Sequence, residues 1–241
     1  MVVAPEARNT EQQKPFFDYD ESGTLLSTNT EALLSFYIDH SKGSLEKLRG
    51  ELMKLMEDPL QNLRTVKRRT DEVAFDLVSL APGTDLLQNP DLEILFHHCS
   101  FVSLWMNLAY LAVTDDSSLS SVGTDSVLAR FLHKLITGLT PEFRRLQLDA
   151  VEFAALKAIC MWKISEIGRN ETARVLSGEQ CQGVAKALNE YHQTKPLQDF
   201  ERAARLADIT SLMAPITAVY GSMIEMYTTL NIDDTYRGDF V

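Results

Sequence analysis

Three successive residues, His97, His98 and Cys99, are the ones in this 241-residue chain that most suggest a chemical role. Imidazole nitrogens and thiolates are zinc ligands and can also act as bases or nucleophiles. The three residues lie inside a helical pattern, where successive side chains point about 100° apart and cannot converge on one ion. Because no other cysteine or histidine stands at a ligand spacing, we interpret the run as structural and expect no metal site.

Two neighbouring acids, Asp115 and Asp116, are similar to the start of the magnesium-binding motif of all-helical terpene synthases. Leu119 stands where that motif has its third acid, so we interpret the pair as part of a solvated loop. The basic run 67–69 (KRR) is interpreted as a solvated helix face, with an electrostatic docking point for a peptide or carboxylate as the alternative. The chain has no nucleophile elbow, phosphate-cradling glycine loop or dinucleotide fingerprint. We therefore predict that it is not an enzyme and has no catalytic residues and no cofactor.

The charge and the cysteine pattern narrow the class of protein further. A formal net charge of −11 repels a phosphate backbone, so we expect no direct contact of this segment with nucleic acid. Three widely spaced cysteines form neither a zinc finger nor a disulfide framework, which is typical of a reducing, intracellular compartment. The N-terminus lacks the apolar core of a secretory signal. The sequence also lacks a run of about 18 apolar residues, which a membrane span would need.

The hydrophobic spacing predicts an all-α fold of about ten helices in layers. Proline and glycine are sparse, with 8 and 11 residues, and apolar positions recur at helical intervals from Asn29 onward. The segment 91–113 is apolar on almost every side, so we expect a central helix that is covered on both faces. Pro215 predicts a kink or break in the last long helix. The predicted helices begin at Asn29 and continue over 44–56, 62–80, 91–113, 124–138, 141–148, 150–165, 178–193 and 198–229; residues 1–28 are predicted to be a flexible lead-in, and 114–124 leave room for one small β-hairpin.

Three stretches of the sequence resemble nuclear receptor ligand-binding domains. The clearest is 143–149 (FRRLQLD) leading into 152–159 (EFAALKAI), and the second is 205–207 (RLA) followed by 223–225 (MIE). The resemblance covers residues 60–241 and is nearest to the hepatocyte-nuclear-factor-type and nematode receptors. It implies a three-layer antiparallel helical sandwich, with one ligand-binding domain over residues 29–241. The third stretch is the spacing of Pro82, Gly83, Asp85, Leu87, Asp91 and Leu95.

The resemblance implies a buried ion pair and a groove for a coregulator helix. In the family, a glutamate of the eighth helix pairs with an arginine before the tenth, and here these are Glu152 and Arg205. The family groove lies between helices three to five and the last helix, where a lysine and an acid grip the two ends of a peptide helix. Here Ser79 stands at the lysine position, so we expect weak or altered peptide binding, or a repressive role. The implied groove residues are Ser79, Leu95, His97, Asp239 and Phe240, the last two from a final helix over 233–241.

The ligand site that the resemblance implies is apolar. Fatty-acid and retinoid binders of the family hold the ligand carboxylate with an arginine late in the fifth helix, and Leu111 stands at that position. An unpaired buried carboxylate is unfavourable by several kcal/mol. We therefore expect a neutral, apolar or lipid-like ligand, or none, with the cavity filled by the protein's own side chains. The pocket candidates are Phe101, Trp105, Met106, Leu111 and Met161.

The resemblance further implies a regulator of transcription that recruits coregulator peptide helices. We expect such a protein in the nucleus, and also in the cytoplasm, but not in a membrane. A homodimer, or a heterodimer with another nuclear receptor, would form through the long last helix, with Met213, Tyr220 and Met223 as candidates. The eight-cysteine DNA-binding module of the family is absent here, so this segment either belongs to a longer protein or acts by partnering. The alternative is an all-helical scaffold or adaptor with no ligand switch, which would lack a groove beside residues 70–100. An enzyme, the remaining class, would have a cleft of converging acids and histidines with shifted pKa values.

Overall fold

Helices make up most of the computed structural model, which describes residues 29–115, 126–163 and 171–232. Within those ranges there are ten α-helices and no strand, which confirms the predicted all-α class. The predicted lead-in (1–28), most of the hairpin segment (116–124) and the predicted final helix (233–241) lie outside the described residues. The helices are α1 Thr30–Glu57, α2 Pro59–Leu80, α3 Asn89–Phe101, α4 Asn107–Thr114, α5 Val127–Gly138, α6 Thr140–Leu146, α7 Ala150–Lys163, α8 Glu171–Gln193, α9 Asp199–Ser211 and α10 Met213–Leu230, with a 3-10 turn at Thr84–Leu86 and a π-helical turn at Val102–Met106.

The first helix, α1, is one continuous element where the hydrophobic spacing predicted two. Ser41 and Ser44 are buried between the two apolar stretches, so the contact surface of α1 continues through small polar residues that a count of apolar positions misses. Asp58 ends α1 and its side chain accepts a hydrogen bond from the Gln61 backbone N–H at the start of α2. Pro59, in the first turn of α2, needs no hydrogen-bond donor there. The break predicted at residues 58–59 therefore separates two helices that pack against each other.

Other helix boundaries differ from the predicted ones by a turn or more. Helix α8 begins at Glu171, ahead of the predicted 178, because its first two turns are mostly polar and carry a weak periodic signal. The predicted helix 198–229 divides at Leu212 into α9 and α10. Pro215 lies in the first turn of α10, where its missing N–H leaves no hydrogen bond unmade. The break predicted from Pro215 is therefore confirmed.

The helices form three layers. Helices α1 and α2 make one outer layer, and α5 and α10 pack together in the opposite one. Between them lie α7, α8 and the continuous segment of α3, the π turn and α4. This segment, Asn89–Thr114, is long and apolar enough to cross a membrane, but 83% of its most apolar stretch is buried inside the protein. Such burial is typical of a central core helix, as its composition predicted.

Candidate functional site

The five residues proposed to line a ligand pocket are all buried, and two of them contact aromatic side chains of other helices. Trp105 in the π turn donates from Nε1 to the Tyr227 hydroxyl at 2.8 Å, and its ring lies edge-on to Phe131 with centroids 4.6 Å apart. Phe101 lies edge-on to Tyr220 at 5.2 Å. Edge-to-face aromatic pairs at these separations are favourable contacts. The remaining three candidates, Met106, Leu111 and Met161, are also buried.

A cavity of about 10 Å³ borders Met161 and the side chain of Lys157 on α7. This volume holds one water molecule and is far too small for a lipid. The buried Lys157 ammonium donates to Asn107 Oδ1 at 2.9 Å and to Ser41 Oγ at 3.4 Å, both neutral acceptors. Burial lowers the pKa of Lys157 to about 7. Burial, followed by the charge of Lys157, lowers the pKa of His40 to about 4.

The groove residues proposed from the family do not all reach the surface. Ser79 and Leu80, at the end of α2, are exposed, and the Leu80 side chain has 65% of its surface open to solvent. His97 on α3 is half-buried, and we name these three residues the α2–α3 face. Leu95 is buried, so it cannot touch a peptide. Asp239 and Phe240 lie outside the described residues.

The basic run 67–69 is not uniformly solvated, which corrects the interpretation of its first residue. Lys67 is buried, and its ammonium lies 2.7 Å from Asp71 Oδ2 and 5.3 Å from the centre of the Tyr227 ring. Asp71 Oδ1 in turn accepts a hydrogen bond from Ser100 Oγ at 2.5 Å. The next two residues, Arg68 and Arg69, are exposed. Burial of one lysine in the run follows from the helical period, which turns Lys67 toward α10 and its neighbours outward.

A buried carboxylate on α7 joins three helices. Arg205 donates to both oxygens of Glu152, from Nε at 2.8 Å and from Nη2 at 2.7 Å, and donates from Nη1 to the Leu146 carbonyl at 2.7 Å. His192 Nε2 on α8 lies 3.0 Å from Glu152 Oε1. Burial disfavours the charged form of Glu152, but the hydrogen bonds from Arg205 and from the Asp149 backbone N–H, together with the charge of Arg205, outweigh it and lower the pKa of this carboxyl. The arrangement ties α7 to α8 and α9.

Neighbouring residues extend this network, and the sequence reasoning missed them. Lys195 Nζ lies 2.5 Å from Asp149 Oδ2 and sits over the Tyr191 ring at 4.7 Å. The Tyr191 hydroxyl donates to the same carboxylate oxygen at 2.9 Å. Asp149 is the last residue of the 143–149 motif, and no spacing along the chain links it to residues more than forty positions away.

Two of the three proposed dimer residues point inward. The exposed fractions of Met213 and Met223 are 9% and 1%, and Met213 Sδ lies 3.5 Å from the Cys160 thiol. Tyr220 is half-buried against His98 and Phe101. The outer surface of α9 and α10 instead presents Phe200, which is 73% exposed, and Ile224. The two methionines therefore belong to the core.

The run 97–99 is divided between the core and the surface. His98 and Cys99 are buried and His97 is half-buried. Burial lowers the pKa of His98 to about 4, so the ring is neutral at pH 7, and its Nδ1 has no hydrogen-bond partner in the part of the chain that the structure describes. In the described ranges, no three His, Cys, Asp or Glu side chains are grouped so that they could hold a metal ion.

Comparison with known proteins relates this arrangement to a family. A family model described as the ligand-binding domain of nuclear hormone receptor matches residues 88–232. The chain is 28% identical over 223 residues to nuclear hormone receptor family member nhr-77 of Caenorhabditis elegans, and 27% identical over 220 residues to family member nhr-169 of the same organism. These alignments cover 86% and 90% of this chain and 61% of each relative. The chain thus spans about three fifths of the length of the relatives it matches.

The matched segment contains the central helical segment Asn89–Thr114, the Glu152–Arg205 pair, and helices α9 and α10. More than half of the chain lies within it. The resemblance to nematode receptors is therefore confirmed. This chain belongs to the nuclear hormone receptor ligand-binding domain family.

Proposed function

We propose that this chain is the ligand-binding, regulatory part of a nuclear hormone receptor and controls transcription in the nucleus by recruiting coregulator peptide helices. The observation that carries the proposal is the family match over residues 88–232. The members of this family are regulators and not generally enzymes. The net charge of −11 favours protein partners over nucleic acid for this segment.

The α2–α3 face supports peptide recruitment. A receptor groove must offer an exposed apolar side chain beside polar groups that orient a helix. Leu80 is 65% exposed and lies next to Ser79. Because Ser79 carries no charge, it cannot clamp the negative end of a peptide helix as a lysine would. We therefore propose that peptide affinity at this face depends on apolar contact more than on charge.

A peptide-binding measurement with two matched leucines tests this proposal. The probe is a fluorescein-labelled amphipathic helical peptide with leucines at positions i, i+3 and i+4. We expect Leu80→Asp to weaken binding roughly tenfold or more, because hot-spot apolar contacts contribute at least about 2 kcal/mol. Leu60→Asp is the control, since Leu60 is 64% exposed at the opposite end of α2. Equal loss in both variants, or no binding by the unaltered chain, would contradict coregulator recruitment at this face.

The packed interior supports a receptor domain that needs no ligand to fill its core. Trp105, at a position where the resemblance implied a pocket, contacts both Phe131 and Tyr227. Leu111 offers no charge to a ligand carboxylate, which leaves a neutral, apolar molecule as the alternative. Native mass spectrometry of the purified chain distinguishes these states, and we expect the mass of the protein alone. A co-purifying fatty acid would contradict an interior that is filled by the protein's own side chains and has no partner for a ligand carboxylate.

Dimerisation, with a second copy or with another nuclear receptor, is proposed through the outer surface of α9 and α10. Phe200 and Ile224 are exposed there, and alanines at 203 and 207 allow close approach of a second helix. Aromatic side chains are enriched at the centre of protein–protein interfaces.

A further inference from the structure

A surface groove of about 410 Å³ lies between α1, the start of α7 and the last turns of α8. Its floor is apolar, with Leu34 and Ala187 buried at the base and Ile38 and Val151 half-buried along the walls. Its volume lies within the range of common binding sites, and the groove is partly open to solvent. The groove shares no residue with the α2–α3 face or with the outer surface of α9 and α10.

Two carboxylates, Glu31 and Glu190, stand on the rim of this groove, and both residues are exposed. Glu190 accepts a hydrogen bond from the Thr30 hydroxyl at 3.3 Å, which is a neutral donor. Neither carboxylate forms an ion pair within residues 29–115, 126–163 and 171–232. The nearby Asp149 differs, because Lys195 and Tyr191 satisfy it. Among the described residues, the rim therefore carries two carboxylates that have no cationic partner, above an apolar floor.

We propose that this groove binds a basic amphipathic helix of a partner protein. Helices α1 and α8 form the two sides of the groove, and an apolar helix face laid between helices is a common mode of peptide recognition. Lysine or arginine side chains of the partner would lie over Glu31 and Glu190. The net charge of −11 adds a long-range attraction for a basic partner and repels an acidic one.

Charge-matched double variants test the assignment. The probe is a fluorescein-labelled peptide of leucine and lysine, about 18 residues long so that it is helical. Binding is followed by fluorescence anisotropy at about 0.15 M salt, where exposed charges farther apart than about 8 Å are screened. We expect Glu31→Gln with Glu190→Gln to weaken binding roughly three- to tenfold, the size expected for two exposed ion pairs. Glu46→Gln with Glu57→Gln makes the same change in net charge on the exposed surface of α1, about 20 and 40 Å from Glu31 along the helix, and should stay within twofold.

A single substitution at the rim of the groove provides a second test. Ser35 is exposed on the rim, one helical turn after Glu31. Ser35→Arg introduces a cation that pairs with Glu31 in the favourable i, i+4 arrangement, so the variant should fold at least as well as the unaltered chain and still bind the peptide more weakly. The same peptide with glutamate in place of lysine should not bind.

Two outcomes would overturn the assignment. Equal weakening by both double variants would mean that the peptide responds only to net charge. Loss of binding in Leu80→Asp, with Glu31→Gln and Glu190→Gln without effect, would mean that the peptide occupies the α2–α3 face. Thermal unfolding of every variant verifies that binding is compared between folded proteins. Failure at the α2–α3 face would leave this groove unaffected, because the two surfaces share no residues.

Discussion

The Lys157 ammonium is buried, and among the described residues its hydrogen-bond acceptors are two neutral oxygens, at 2.9 and 3.4 Å. A charge in such a position is unfavourable, and burial lowers the pKa of this lysine from 10.5 to about 7. The unfolded chain therefore binds one more proton than the folded chain between those two pH values. Stability consequently rises with pH above about 7.

Replacing Lys157 with methionine should remove this pH dependence. Between about pH 7 and 8.5, we expect the free energy of unfolding of the unaltered chain to rise by up to about 1.4 kcal/mol per pH unit, the limit for one proton. In the Lys157→Met variant, the rise of the unfolding free energy with pH should be clearly smaller. The window ends at about pH 8.5 because burial raises the pKa of the Cys99 and Cys160 thiols, so folding opposes their ionisation at higher pH. Urea unfolding at several pH values measures both slopes, and parallel slopes would contradict a titrating Lys157.

The Glu152–Arg205 pair makes a second prediction at the level of single residues. Arg205→Leu leaves the buried Glu152 carboxylate without its two strongest donors, so we expect a loss of about 3 kcal/mol in unfolding free energy. Replacing both residues with leucine should cost less than the single change, because no buried charge remains. The pKa of Glu152 is lowered by the pair, so its contribution is present above about pH 4.5 and is lost as the pH falls through the folded-state value. Chemical unfolding at neutral pH compares the two variants, and a larger loss in the double variant would refute this explanation.

Single helices depend on contacts that lie far away along the chain. Gly178 and Gly183 lie on α8, five residues apart, and only their surroundings differ. A Cβ atom at Gly178 would meet nothing within 4 Å, whereas one at Gly183 would come within 2.9 Å of Leu33 Cδ2 on α1. Leu33 is fully buried and cannot easily move aside. The close approach of α1 and α8 therefore needs glycine at one position and tolerates it at the other.

Alanine substitutions at these two positions should have opposite effects. Gly178→Ala should stabilise the chain by about 0.5–1 kcal/mol, since alanine restricts the unfolded state and suits a helix interior. Gly183→Ala should destabilise it by about 1–3 kcal/mol through overpacking against Leu33. Thermal or urea unfolding of the two variants provides the measurement, and a gain of stability at both positions would mean that α1 and α8 are not so closely packed.

The whole molecule is acidic and three-layered, with its long C-terminal helices on the outside. If a dimer forms through α9 and α10, Phe200→Asp should raise the dimer dissociation constant at least tenfold, because the change buries a charge at the centre of the interface. Leu60→Asp, on an equally exposed leucine of α2, should leave it unchanged. Analytical ultracentrifugation over a range of protein concentrations measures both. A monomeric chain at all concentrations would refute the proposed interface.

Features that depend on the local sequence were largely predictable. Asp58-Pro59 and Pro215 mark helix ends through local backbone chemistry, and the all-round apolar segment 91–113 predicts its own place in the centre. The stretch 143–159, together with 205–225 and the spacing over 82–95, indicated the family. Within the candidate site, the sequence suggested Glu152 with Arg205 through the family resemblance, but neither His192 nor Lys195 beside them.

Which side chain faces which neighbour was decided only by the tertiary structure. Lys67 reads as part of a basic surface run and is buried between Asp71 and Tyr227, whereas Met213 and Met223 read as interface residues and belong to the core. Helix periodicity specifies that residues share a face, because it follows from backbone geometry. It does not specify what covers that face, because the covering side chains come from distant parts of the chain. The sequence by itself therefore determined the helices and the family of this protein, and only the packing of the layers decided where its buried charges and its open surfaces lie.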